Sequence, residues 1–201
     1  MKPLLQNLAP SATSMIRADH TSVLLTFHKY RIDTATPTKQ AIVNSICLAL
    51  EIHSQLEEEI FYPAMREAGL DTDIVDKSFP EHAEMKRLIG VLRRMEAGSS
   101  TYDETLMELM RNVLRHIADE ETKLLPDAER VLADRLPELG ARMTRRRLEL
   151  ATPRAGEIAV NVARANPVGT AMVTAGVLFA SVVMVRRLFT RSRTDLLTFR
   201  T

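Results

Sequence analysis

The segment His53-Ser-Gln-Leu-Glu57-Glu58-Glu-Ile-Phe-Tyr-Pro63 recurs in altered form as His116-Ile-Ala-Asp-Glu120-Glu121-Thr-Lys-Leu-Leu-Pro126. Each copy has a His, a Glu four residues on, a second Glu directly after it, and a Pro ten residues past the His. Residues four apart on an α-helix lie one above the other on the same face, so each copy presents an imidazole and a carboxylate to one point in space. That is a metal-ligand spacing. Roughly thirty residues before each copy stands a lone His directly after an acid, Asp19-His20 and Glu81-His82. The offset between the lone histidines nearly equals that between the paired ones, as duplication of a helix pair would leave it.

Four helices follow from this pattern, two carrying one His and two carrying a His and a Glu. If they close into one bundle, His20, His53, Glu57, His82, His116 and Glu120 face its interior. Four imidazoles and two carboxylates suit two iron ions, since imidazole fits Fe or Zn and a carboxylate can bridge two metals. His28 lies about 80° around the helix from His20 and so off the ligand face. Glu58 and Glu121 are rotated away from the first carboxylates, which suits solvation or a hydrogen bond to a ligand more than metal binding. Asp19 and Glu81 are placed to orient neighbours in the same way, and Glu81 is held as a reserve ligand.

The chain of 201 residues, 45% hydrophobic, is long enough for one well-filled core and an appendage. A net charge of +1 points to no nucleic acid or other polyanion. The single cysteine, Cys47, excludes an intramolecular disulfide and lies in an apolar run, as a core residue would. No long apolar stretch follows the N-terminal Lys2-Pro3, so a secretory signal is not expected. Scarce Gly, no Trp and abundant Leu, Ala, Met, Glu and Arg suit an all-helical protein.

The helical spacing of Ile16, His20, Val23, Leu24 and Phe27 predicts a first helix from about Ser11–Ser14 to Arg31. Thr36-Pro37 opens a second that runs to about Glu67, kinked or ended at Pro63, with Gly69 as its stop. For the third, Ser78-Phe-Pro80-Glu81 reads as a capping box that puts His82 in the first turn; the alternative is a helix from about Asp71 that bends at Pro80. The box Thr101-Tyr-Asp-Glu104 starts a fourth helix running toward Pro126, and a fifth, interrupted at Pro137, covers about Arg130 to Leu150. Its Arg145-Arg146-Arg147 run is a solvated face, or in a sharper reading an attraction to anionic lipid.

From Ala165 to Val185 no residue is charged, and 21 residues at about 1.5 Å each span the roughly 30 Å hydrocarbon core of a bilayer. The expected fold class is therefore all-α: an up-down-up-down four-helix bundle with an extra helix and a C-terminal transmembrane helix. The expected organisation is a metal-binding domain at 11–150, a linker at 151–164, a transmembrane helix at 165–187 and a short basic tail at 188–201. A buried or surface-lying helix is the alternative for the apolar segment. The simplest location is a cytoplasmic bundle held to the membrane by its C-terminus.

His20, His53 with Glu57, His82, and His116 with Glu120 resemble the pattern of the hemerythrin-like HHE cation-binding domains, over roughly Ser11 to Leu150. The segment from Pro137 to Arg147 looks like the extra helix that often trails them. The resemblance implies a four-helix bundle around a non-haem di-iron centre, with two Glu bridging the irons and an oxo or hydroxo ligand between them. One departure stands out. Oxygen-carrying hemerythrins have a fifth His on the third helix, four residues from the first, but the positions four away from His82 are Ser78 and Lys86. The open position could take water, Glu81 or an exogenous ligand.

Such an opening suits small molecules reaching the metal. The expected function is a membrane-tethered di-iron protein that binds O2 or senses iron or redox state. The alternative is a di-iron enzyme with peroxidase-like or nitric-oxide-handling activity, and a third reading is a helical bundle with Zn or no metal. No nucleophile-base constellation and no phosphate-binding Gly-rich loop is present, so any chemistry belongs to the metal.

Overall fold

A computed structural model describes residues 10–70 and 72–166. In chain order its helices are α1 (Ala12–His28), α2 (Thr36–Leu56), a π turn (Glu57–Phe61) leading into α3 (Tyr62–Glu67), α4 (Thr72–Leu92) and α5 (Ser100–Asp119). A second π turn (Glu120–Leu124) leads into α6 (Leu125–Val131), followed by α7 (Leu136–Ala151), a 3-10 turn (Thr152–Arg154) and α8 (Ala155–Ala165). No strand occurs among the described residues. Short links between α1 and α2 and between α4 and α5 return the chain antiparallel, and each of these pairs packs together.

Helix ends follow local chemistry. Ser11 caps α1, its hydroxyl accepting from the Ser14 N–H at 3.2 Å. Ser99, two residues before the expected box, caps α5 by accepting from the Tyr102 N–H at 3.2 Å. Gly69, at φ +68°, ends α3 in the left-handed conformation that glycine adopts without steric cost. Pro80 lies inside α4, so the longer of the two expected third helices forms and His82 sits well within it.

Pro63 and Pro126 neither end nor simply kink their helices. A proline in a regular α-helix lacks the N–H for the carbonyl four residues back and crowds it. Here each proline follows a π turn, in which the Tyr62 and Leu125 N–H groups reach back five residues to the carbonyls of Glu57 and Glu120. The extra residue per turn absorbs the misfit, and both π turns begin at a ligand-candidate glutamate.

Two apolar clusters fill the bundle. One is built on Ile16, Leu56, Phe61, Met65, Leu125 and Leu139. The other is built on Ile46, Leu50, Leu88, Leu106, Met110 and Val113 and includes Cys47, whose thiol burial pushes up to about 12. His20, His53, His82 and His116 lie in sequence between members of the two clusters, so a polar layer is set between two apolar ones.

The stretch read as a linker, 151–164, is instead helical: α8 begins at Ala155 and packs along α2. Arg154 and Arg93 share Glu51 of α2, at 2.8 and 2.7 Å. The expected transmembrane helix and basic tail fall almost entirely at 167–201, outside the described residues. Among the described residues no helix is long and apolar enough to cross a membrane.

α7 lies against α1 at Gly140, where an added Cβ would stand 2.0 Å from the Pro10 carbonyl oxygen and 2.9 Å from the Ala12 nitrogen. Both are backbone atoms, so the helices would have to separate. Gly140→Ala is expected to destabilise the fold by about 1–3 kcal/mol in denaturant unfolding, despite its better helix propensity. A stability equal to or above that of the parent would show that α7 is not seated there.

Candidate metal centre

All six residues singled out by the repeat meet in the layer between the two clusters. Glu57 and Glu120 are fully buried, and the four histidines are no more than 4% exposed. Each histidine turns Nε2 inward. His53 and His82 face Glu57 Oε2 at 3.2 and 3.5 Å, while His20 and His116 face Glu120 Oε2 at 3.1 and 3.4 Å. His82 Nε2 and His116 Nε2 are 3.1 Å apart. Donor atoms of His20, His53, Glu57 and Glu120 lie within 4.8 Å of one another, and so do those of Glu57, His82 and His116. Glu57 belongs to both groups.

The outward nitrogens are anchored as well. His20 Nδ1 lies 2.9 Å from Glu121, His82 Nδ1 2.9 Å from Glu58, His116 Nδ1 3.1 Å from Glu81, and His53 Nδ1 3.5 Å from Asp19. A carboxylate on one ring nitrogen favours a proton there and leaves a lone pair on the other for a metal. Asp19, Glu58, Glu81 and Glu121 are all used in this way, whereas Asp119, the other acid beside a central residue, pairs with Lys77 and Lys123. Glu81, the reserve ligand, therefore orients His116 and does not face the space between the inward atoms. His28 is exposed, away from the site.

The duplication is legible in these contacts. His20 to His82 is an offset of 62 residues, and His53 to His116, Glu57 to Glu120 and Glu58 to Glu121 are each 63. The contacts of the four histidines with the central and outer carboxylates each have a counterpart in the other half, but one buried residue beside them does not. Tyr62, fully buried, aligns with Leu125. Its hydroxyl donates to Glu120 Oε1 at 2.9 Å and lies 3.4 Å from Glu57 Oε2 and 3.5 Å from His82 Nε2. Where a fifth His would stand, Ser78 donates to the Ile74 carbonyl and lies against the Tyr62 hydroxyl, and Lys86 pairs with Glu58. The sequence reasoning missed Tyr62. The unequal tenth position of the two repeats, Tyr against Leu, was the available signal.

These residues fit cations. Three fully enclosed atoms lack a well-formed hydrogen bond: Glu57 Oε1, and the facing pair His20 Nε2 and Glu120 Oε2, which are 3.1 Å apart without being aligned for one. Leaving buried polar atoms unpaired costs several kcal/mol, on the order of 2–7 each, unless something else satisfies them. Electrostatics agrees. Burial, together with the nearby Glu120 charge, holds the Glu57 carboxyl well above its ordinary range. Against its own burial, Glu120 is drawn down to about 2 by the imidazoles of His116, His20 and His53. Burial lowers His53 to about 4 and lowers His82 as well, keeping both rings neutral as ligands must be. Two ionised carboxylates at this depth need positive charge between them.

The site thus defines a helical bundle that gathers imidazoles and carboxylates able to hold cations. The model of the hemerythrin HHE cation-binding domain matches residues 11–128, more than half of the chain, and the protein belongs to that family. Among solved structures, a hemerythrin HHE cation-binding domain-containing protein of Mycobacterium kansasii has the same fold. Its TM-score is 0.62 at 19% identity, covering 77% of this chain and 99% of that one. A curated relative, a DNA nickase of a Nostoc species, is 26% identical over 110 residues, 55% of this chain. The chain spans only 31% of that relative's length.

Cation binding must remove the proton that burial keeps on Glu57, so apparent affinity is expected to rise with pH and binding to release protons. Calorimetry in buffers of different ionisation enthalpy measures the release; uptake with no proton release would contradict the assignment. Glu57→Ala or Glu120→Ala is expected to lose most of the bound cation by elemental analysis while circular dichroism shows the helices intact.

Proposed function

We propose that this chain is a non-haem di-iron protein that binds O2 or reports iron or redox state, and that its C-terminal segment holds it at a membrane. The observation that carries the reading is the set of unpartnered inward atoms within an all-imidazole and carboxylate donor set, a mixture that suits iron better than the thiolate sets that favour Cu(I) or Fe–S clusters. His20, His53, Glu57 and Glu120 would hold one ion, and Glu57, His82 and His116 the other. When bound, the two ions supply reversible one-electron redox change and a coordination position for a small ligand. Beside the site, Val23, Leu50, Val113 and Ile117, together with Asp19, line a small cavity against His20, His53 and His116, and mainly apolar walls of this kind suit a diatomic molecule better than an ion.

A second reading, an enzyme acting on peroxide or nitric oxide, is favoured by Tyr62. Burial, together with the nearby carboxylates, raises its hydroxyl well above the usual range, so it keeps its proton. Its O–H donates to Glu120 Oε1 beside His82, and a phenol placed there would serve as a proton donor to a peroxide or nitric oxide ligand.

Iron-loaded protein, reduced and then exposed to O2 or to peroxide, separates the readings by optical absorption. A reversible spectrum on exposure to O2 and its removal supports binding. Sustained peroxide consumption supports the enzyme, and Tyr62→Phe should then slow turnover about 100-fold with iron content unchanged. Zn as the sole metal recovered from cells would defeat both. For the membrane, deletion of 165–201 is expected to move the protein from the membrane to the soluble fraction; full-length protein already soluble without detergent would reject the anchor.

A further inference from the structure

Behind each of the four carboxylates that hold a histidine Nδ1 stands a basic group. Arg17 Nε is 3.0 Å from Glu121, Lys86 Nζ is 2.8 Å from each oxygen of Glu58, and Lys77 Nζ is 3.4 Å from Glu81. These three belong to the bundle helices α1 and α4. The fourth does not. Asp19, which faces His53, is paired through both oxygens with the guanidinium of Arg147 on α7, Nη1 lying 2.7 Å from Oδ1 and Nη2 meeting Oδ2.

The internal repeat explains why a fifth helix is needed. Lys77 stands four residues before Glu81 and supports it from the same helix. The position 62 residues earlier, four before Asp19, is Met15, which is buried and cannot pair with a carboxylate. It packs instead on α7, with its sulfur 3.3 Å from the Thr144 hydroxyl. The first half of the bundle therefore lacks the cation that the second half has, and α7 brings one where Met15 makes room for it. α7 also lies past residue 128, where the family match ends.

We infer that Arg147 is a positioning residue for the metal centre: through Arg147, Asp19 and His53, the helix beyond the four-helix bundle sets the geometry of the half-site built on His20 and His53. This rests on the reading that the His and Glu cluster holds two cations. A forked guanidinium fixes both oxygens of Asp19, which removes the carboxylate's rotation and with it the swing of the His53 ring. His53 has the longest of the four Nδ1 contacts, so it depends most on a fixed partner. Arg146, one residue earlier, is a matched control. It makes an equally forked pair, at 2.7 and 3.1 Å, with Glu59, which touches no histidine.

Two measurements on the full-length chain test this. In metal-free protein labelled with 15N-histidine, long-range 1H–15N correlation should show the His53 proton on Nδ1. Arg147→Ala should let it redistribute between the two nitrogens, Arg146→Ala should not, and Arg147→Lys should recover part of the effect. In Co(II) titration followed by visible absorption, Arg147→Ala should weaken one of two binding steps about tenfold and leave the other alone. Wild-type behaviour of Arg147→Ala in both assays overturns the proposal. Equal losses in Arg147→Ala and Arg146→Ala also overturn it, because they would mark α7 as packing only. If the unaltered protein takes up no Co(II), the two-cation reading fails by itself, and the tautomer measurement still decides whether Arg147 holds His53 through Asp19.

Discussion

Two fully buried carboxylates in one cavity are the constraint on which the rest of this structure depends. Glu57 and Glu120 cannot both be ionised between two apolar clusters unless positive charge lies between them. Without cations the protein divides the burden unevenly: Glu57 keeps a proton while Glu120, ringed by imidazoles, gives it up. The pair is costly for the empty fold and favourable for a filled one. Atoms of His20, Glu57 and Glu120 left without hydrogen bonds express the same preference.

Around that pair the chain builds in rings. Inward nitrogens of four histidines face the carboxylates, four outer acids take the other nitrogens, and four basic groups hold the acids. Each outer acid sits next to a central residue in sequence yet serves a histidine on a different helix. Adjacent helical residues diverge by about 100°, so an acid beside a ligand must look toward the neighbouring helix. The contacts that orient the donors are thereby the same contacts that tie α1, α2, α4 and α5 together. Metal geometry and bundle geometry become one problem.

Two departures from the two-fold pattern at the site have chemical content. Tyr62 against Leu125 puts one phenol in an otherwise symmetric donor set, beside His82 and not beside His20. Met15 against Lys77 removes a cation from one half and admits α7. An exact duplication would offer two equivalent ions, whereas this chain has made the surroundings of its two half-sites different. Where a fifth histidine would have stood on α4, Ser78 bonds to its own helix and lies against the Tyr62 hydroxyl.

The repeat placed His20, His53, Glu57, His82, His116 and Glu120 on one interior face by spacing alone, because helical periodicity is local and needs no knowledge of neighbours. The all-helical fold was legible for the same reason, and the family through the resemblance of those six residues to a known pattern. The pairing of Glu58 with His82, of Glu81 with His116 and of Arg147 with Asp19 was not, since it depends on which helix lies beside which. Pro63 and Pro126 announced a disturbance, and only the backbone showed it to be a π turn at each central glutamate. The arginine run read as a solvated face turned out to clamp Asp19 and Glu59, and the expected linker became α8 on the flank of α2. Sequence by itself determined the inventory of donors and their presentation along each helix; the tertiary structure decided their partners, because hydrogen bonds and ion pairs between helices are set by packing and not by position in the chain.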